Sequence, residues 1–197
     1  ICEGTTGQYI LTPPTAGSTY TWVVTGGTTG VQGNDTMDVQ WTTPGDQTVI
    51  VTELNSFGCP GAPDTFNVHV NPLPASLVLT GPDTVCQNDV VVYYVGNTSG
   101  SNYSWVVTGG TYSQNGDTIT VTWGPGPGGS ITVAETNSFG CVGSPLVTSI
   151  VINPLPNPQQ ITGNIPICAG SLGEIYTANS IPGSYYLWTI TGGTITR

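Results

Sequence analysis

Apolar residues in this chain recur at every second position, in short runs broken by glycine, proline and asparagine. Tyr103, Trp105 and Val107 alternate with Ser104, Val106 and Thr108, and Ile119, Val121 and Trp123 alternate with threonines. Side chains of an extended chain point to opposite faces in turn, so this period of two, carried by β-branched and aromatic residues, predicts half-buried strands. In the middle of the chain the pattern predicts strands over 76–80, 90–95, 103–108, 118–123, 130–136 and 147–153. No segment keeps a helical period. Gly109-Gly110 and the GPGPGG run at 124–129 supply reversals, and NPLP at 71–74 and 153–156 supplies short stiff linkers, because proline restrains itself and its predecessor.

The whole pattern repeats. YTWVVTGG at 20–27 returns as YSWVVTGG at 103–110 and as YLWTITGG at 186–193, with the tryptophans 83 residues apart. The expected units are 1–74, lacking its N-terminal strand, 75–156, complete, and 157–197, the first half of a third. Both ends interrupt the pattern, so a window from a longer array is expected. Six or seven short strands per unit with regular turns predict an all-β chain of tandem Ig-like antiparallel β-sandwich domains in an elongated array. Inward parity makes Trp22, Trp105 and Trp188 core plugs between the sheets, Trp41 and Trp123 a second core aromatic, and Tyr20, Tyr103 and Tyr186 core members beside them. A sugar-stacking role for these tryptophans is disfavoured by the same parity.

Charge narrows the partners. Arg197 is the only Lys or Arg, against 11 Asp and Glu. Nothing could neutralise phosphates, which excludes nucleic acid and anionic membrane surfaces as partners. With no lysine there is no Schiff base, no P-loop and no Lys–Asn cross-link. No apolar run reaches membrane-spanning length, so no membrane insertion is expected of this segment.

Cys2, Cys86 and Cys168 precede the second strand of each unit, and Cys59 and Cys141 close its NSFGC run. Pairing within units joins Cys2–Cys59 and Cys86–Cys141 and leaves the partner of Cys168 outside the chain. Pairing between neighbours joins Cys59–Cys86 and Cys141–Cys168, and buried free thiols are the third option. The self-contained unit favours the first. Disulfides place the protein in an oxidising, extracellular setting.

Candidate chemistry is sparse. His69, the only histidine, has solvent-facing parity and no second base spaced around it. Glu53 and Glu135 are equivalent and end their strands with inward parity, so each needs a partner. Backbone N–H groups from an adjacent loop are the favoured partners; a weak Ca²⁺ site is the alternative, with no dense acidic loop to complete it. No catalytic residue and no other cofactor is expected, and acids this sparse do not suit a paired-carboxylate glycosidase.

The YxW motif followed by Gly-Gly, the downstream V-x-W strand, the TNSFGC turn and the Pro-rich linker together resemble the PKD-like immunoglobulin repeats. The likeness is to the cysteine-containing form in large surface proteins and gliding adhesins of Bacteroidota. One departure stands out: the usual WDFGDG turn is replaced here by WVVTGG and WTITGG, so no role of its acidic residue is carried over. The resemblance implies export by the type IX system and a stalk or spacer role in an adhesin or gliding filament. Its partners would be neighbouring repeats of the same chain and extracellular polysaccharide, surfaces or other surface proteins. The alternatives are a carbohydrate-binding array or a spacer attached to a secreted hydrolase. The resemblance also implies O-glycosylation at Asp-Thr followed by an aliphatic residue: Thr36, Thr84 and Thr118.

Overall fold

A computed structural model describes residues 1–157 and 159–196, without the side chain of Val31. The described residues form strands and turns and no helix. They divide into two compact units, Ile1–Pro154 and Leu155–Arg197.

The first unit holds two sandwiches. In the first sandwich, β1 (Thr6–Ile10), β4 (Thr36–Trp41) and β3 (Gly27–Gln32) make one sheet, ordered β1-β4-β3. The opposing sheet is β2-β5-β6, from β2 (Thr19–Val24), β5 (Gly45–Leu54) and β6 (Asp64–Val70). The second sandwich repeats this plan. Its sheets are β10-β11-β8, with β8 (Val90–Tyr94), β10 (Gly110–Asn115) and β11 (Thr118–Trp123), and β7-β13-β12-β9, with β7 (Thr84–Cys86), β9 (Asn102–Thr108), β12 (Gly128–Thr136) and β13 (Leu146–Asn153). All ladders are antiparallel except β7 on β13. The first sandwich reduces that parallel pair to a single bridge, Cys2 to Asn71.

The parity of the sequence positions the core. Tyr93, Trp105, Ile119, Val121, Trp123, Ile131 and Val133 fill the second sandwich, and Met37, Val39, Trp41, Val49 and Val70 the first. Two local expectations change. Residues 76–80 form no strand; Thr80 alone bridges Tyr94, while Leu77 and Leu79 still pack on the core. The Gly109-Gly110 reversal opens a further strand, β10, which sequence parity alone did not mark because Thr111 to Asn115 are all exposed. Gly109 makes that reversal at φ 79°, where a Cβ would lie 2.9 Å from the Gly128 carbonyl.

The second unit, Leu155–Arg197, carries one two-stranded ladder, β14 (Ile161–Thr162) with β15 (Thr177–Ala178). Its Trp188 and Tyr186 are each 40 % exposed, which corrects their assignment to a core. Among the described residues, those after Trp188 form no counterpart of β11 to β13, the strands that complete the core around Trp105.

Candidate functional site

Three groups of residues organise the chain, and the first is the tyrosine of each YxW motif. The N–H five residues upstream donates to its hydroxyl oxygen in all three copies: Thr15 to Tyr20 (2.8 Å), Thr98 to Tyr103 (2.9 Å) and Ile181 to Tyr186 (3.0 Å). Tyr103 and Tyr186 also donate to the carbonyls of Gly96 and Asn179. Tyr20 and Tyr103 thus pin the loops that lead into β2 and β9, and Tyr186, which lies in no strand, holds the matching loop. Tyr103 and Trp105 are buried, whereas Tyr20 and Trp22 are half-buried. The Trp105 indole N–H donates to Gly116 O at 3.0 Å. Trp41 and Trp123 are fully buried, edge-on to Tyr9 and Tyr93, and their N–H groups lie by those phenols without closing a hydrogen bond.

The second group is the NSFGC turn. Asn137 Oδ1 accepts from the N–H groups of Phe139 (3.1 Å) and Cys141 (3.0 Å), and Gly140 takes φ 80°. Asn55 does the same for Phe57 (3.0 Å) and Cys59 (2.9 Å), with Gly58 at φ 78°. An asparagine side chain that mimics a turn of backbone, followed by a glycine in the left-handed region, is what these residue types favour.

The third group joins the two sandwiches. Cys2 is bonded to Cys141, Cα to Cα 5.6 Å, and Cys59, Cys86 and Cys168 are free and exposed. This corrects the expected pairs Cys2–Cys59 and Cys86–Cys141. The reason is the direction of the strands. Cys86 lies beside Asn153, at the end of the sandwich where β12 begins, while Cys141 follows the turn that β12 enters at Thr136. The 9 residues of β12, at ~3.3 Å each, hold those ends about 30 Å apart, far beyond the 4.4–6.8 Å that a disulfide spans. In the first sandwich the 10 residues of β5 separate Cys2 from Cys59 in the same way. The start cysteine therefore faces the next sandwich, where it meets that unit's turn. The Asn137 Nδ2 group donates to Pro72 O at 2.9 Å across the same joint, and Gly143 stands close to Pro74.

The remaining candidates occupy ordinary surroundings. Glu135 is 3 % exposed and accepts from the Ser101 hydroxyl at 2.6 Å, so a side-chain hydroxyl supplies the partner expected from backbone; Glu53 is half-buried. Among the described residues no three His, Cys, Asp or Glu gather as a metal site. His69 Nδ1 lies 2.6 Å from Asp46 Oδ1 across β5 and β6, and the pair is solvent-exposed. The hydroxyls of Thr36, Thr84 and Thr118 each hydrogen-bond the carboxylate of the preceding aspartate, at 3.2, 3.2 and 3.3 Å. Thr84 is exposed and the other two are half-exposed. A cleft of about 520 Å³ in the second unit, between Ile161, Tyr185, Tyr186 and Trp188, has no charged side chain in its described lining.

A family model described as PKD-like domain matches residues 1–68 and 72–149. No curated protein matches. Among solved structures, titin domains I67–I69 (an E-to-A variant) share 12% identity, with 90% of this chain and 78% of that one covered at TM-score 0.42. Fibronectin(III)-like modules of Clostridium thermocellum CbhA share 12% identity, covering 78% and 88% at TM-score 0.36. SGBP-B of the Bacteroides ovatus mixed-linkage glucan utilization locus, solved with a mixed-linkage heptasaccharide, shares 16% identity at TM-score 0.31, covering 77% of this chain. The chain spans 41% of the length of that protein.

Proposed function

We propose that this chain, which belongs to the PKD-like domain family, is a non-catalytic spacer whose units are joined stiffly in tandem. The observation that carries the reading is the Cys2–Cys141 disulfide, which links one sandwich to the next. A covalent bond between units, beside a short proline linker and the Asn137–Pro72 hydrogen bond, leaves the joint few ways to bend. Binding proteins that adapt to a partner gain from a mobile joint; a spacer gains from a fixed one.

The units are taken as 1–74, 75–156 and the beginning of a third at 157–197. A disulfide together with an acidic surface devoid of lysine suits an extracellular setting. Within that setting the chain would be a segment of a large cell-surface adhesin or gliding filament exported by the type IX route. Its partners would be neighbouring repeats and extracellular polysaccharide, surfaces or other surface proteins. Thr36, Thr84 and Thr118 would be its glycan attachment points.

Spin labels on Thr28 and Thr111, one in each sandwich and both exposed, test the spacer reading by their distance distribution. A single narrow peak in the oxidised chain that broadens with reductant is the expected result. A broad distribution with the disulfide intact would sink it.

A further inference from the structure

The chain contains one closed joint, and two of its free cysteines, Cys86 and Cys59, stand in the same local settings as the two halves of that joint. Cys86 sits in the backbone frame that Cys2 occupies. The N–H after each cysteine donates to the last asparagine of its unit, Glu3 to Asn71 O and Gln87 to Asn153 O, both at 2.9 Å. The carbonyl of each accepts the N–H three residues on, from Thr5 at 3.2 Å and Asp89 at 3.1 Å. Cys168 repeats that second bond with Ser171 at 3.1 Å. At the other end, the Asn55 turn matches the Asn137 turn bond for bond, but without cover. Cys141 is 1 % exposed and Phe139 60 %, whereas Cys59 is exposed and Phe57 is 89 % exposed.

We propose that Cys86 and Cys59 are each half of a further staple. Cys86 takes the cysteine of an NSFGC turn on another PKD-like unit, and Cys59 takes a cysteine of the Cys2 kind. The proposal rests on the tandem-spacer reading and extends its one observed joint into a rule: the start cysteine of each unit bonds the turn cysteine of the next. Closing a staple removes two protons and two electrons from two thiols and passes them to a disulfide oxidant such as oxidised glutathione. One thiolate attacks the oxidant to give a mixed disulfide, and the second thiolate displaces the leaving thiol.

The test lengthens the full chain after Arg197 by a copy of its own residues 115–156 that carries Val142→Ile, which completes a third unit whose NSFGC turn peptide differs in mass from that of Cys141. After oxidation in glutathione buffer, non-reducing peptide mapping should recover Cys86 joined to the cysteine of the copied turn, alongside Cys2–Cys141. Recovery of Cys168 joined to the copied turn, or of Cys86 still alkylated by iodoacetamide in the folded protein, would overturn the proposal. Should the lengthened chain not fold, two variants of the original chain replace it. C59S/C168S keeps only Cys86 free, and C86S/C168S keeps only Cys59 free. Equilibrated together in glutathione buffer, they should form the mixed dimer about tenfold above the binomial expectation, since a complementary joint adds its own free energy. A binomial mixture overturns the rule. Either failure leaves the spin-label test of the observed joint untouched, so the two readings fail separately.

Discussion

Tyr93 shows how one residue of the core can set the limits of stability. It is fully buried, edge-on to Trp123, and its hydroxyl donates to Pro82 O at 3.0 Å. Burial pushes its phenol above the ordinary value of 10.0, with the nearby indole of Trp123 offsetting part of the rise and Asp83 and Asp89 adding to it. Burial does the same to Tyr9 in the first sandwich. A raised phenol means the folded state holds its proton more tightly than the unfolded chain does. The associated stability is therefore complete below about pH 10 and is lost as pH climbs through the folded-state value. Absorbance at 295 nm should show a late-titrating class of tyrosines, and denaturant midpoints should fall above pH 10. Tyr93→Phe should lower stability at neutral pH by about 1 kcal/mol, the lost hydrogen bond. It should also shrink the alkaline loss; an unchanged alkaline slope in that variant would refute the assignment.

At the scale of the element, the NSFGC turn does two jobs in the second sandwich and one in the first. Asn55 and Asn137 both organise their own turns, but only Asn137 is seen to bond across a joint, to Pro72. Asn137→Ala should therefore destabilise the oxidised chain by about 1 kcal/mol more than Asn55→Ala, one net hydrogen bond. Chemical denaturation of both variants measures the difference, and equal losses would mean that the cross-joint bond contributes nothing. The turn also shows what the sequence could and could not reveal. Period-two parity correctly separated the buried Ile119, Val121 and Trp123 from the threonines between them, and the NSFGC spacing marked the turn. That β13 carries the chain away from Cys141 to the linker was legible too, because NPLP follows it directly. That Cys86 returns to the same linker end was not. Its placement depends on the parallel pairing of β7 with β13, a contact across more than sixty residues with no local signature. The half-exposed Trp22 and the exposed Trp188 have the same lesson: parity names the face, but the strands that cover it lie elsewhere in the chain.

For the molecule as a whole, the disulfide changes where tension travels. A chain pulled by its ends passes force from Ile1 to Cys2, across the bond to Cys141, and out along the residues that follow. The staple spans 139 residues of sequence, so almost all of both sandwiches lies inside a closed loop that the force bypasses. Unfolding the first sandwich then adds nothing to the length of the molecule, and tension cannot drive it. Cutting the bond restores the full path. At ~3.6 Å per extended residue, the 139-residue loop holds back roughly 500 Å of contour length. Closing a loop of that size also removes about 5 kcal/mol of unfolded-chain entropy in the loop-closure description, so both sandwiches should also unfold at lower denaturant when reduced. Pulling single molecules with and without reductant measures the first effect directly. The reduced chain, or the Cys2→Ser variant without reductant, should stretch roughly 500 Å further than the oxidised chain before tension rises steeply. Equal contour lengths in the two states would show that the bond does not carry the tension. A spacer built from units stapled in this way limits its extension under load, because releasing the length of each stapled loop would require breaking a covalent bond rather than unfolding a domain.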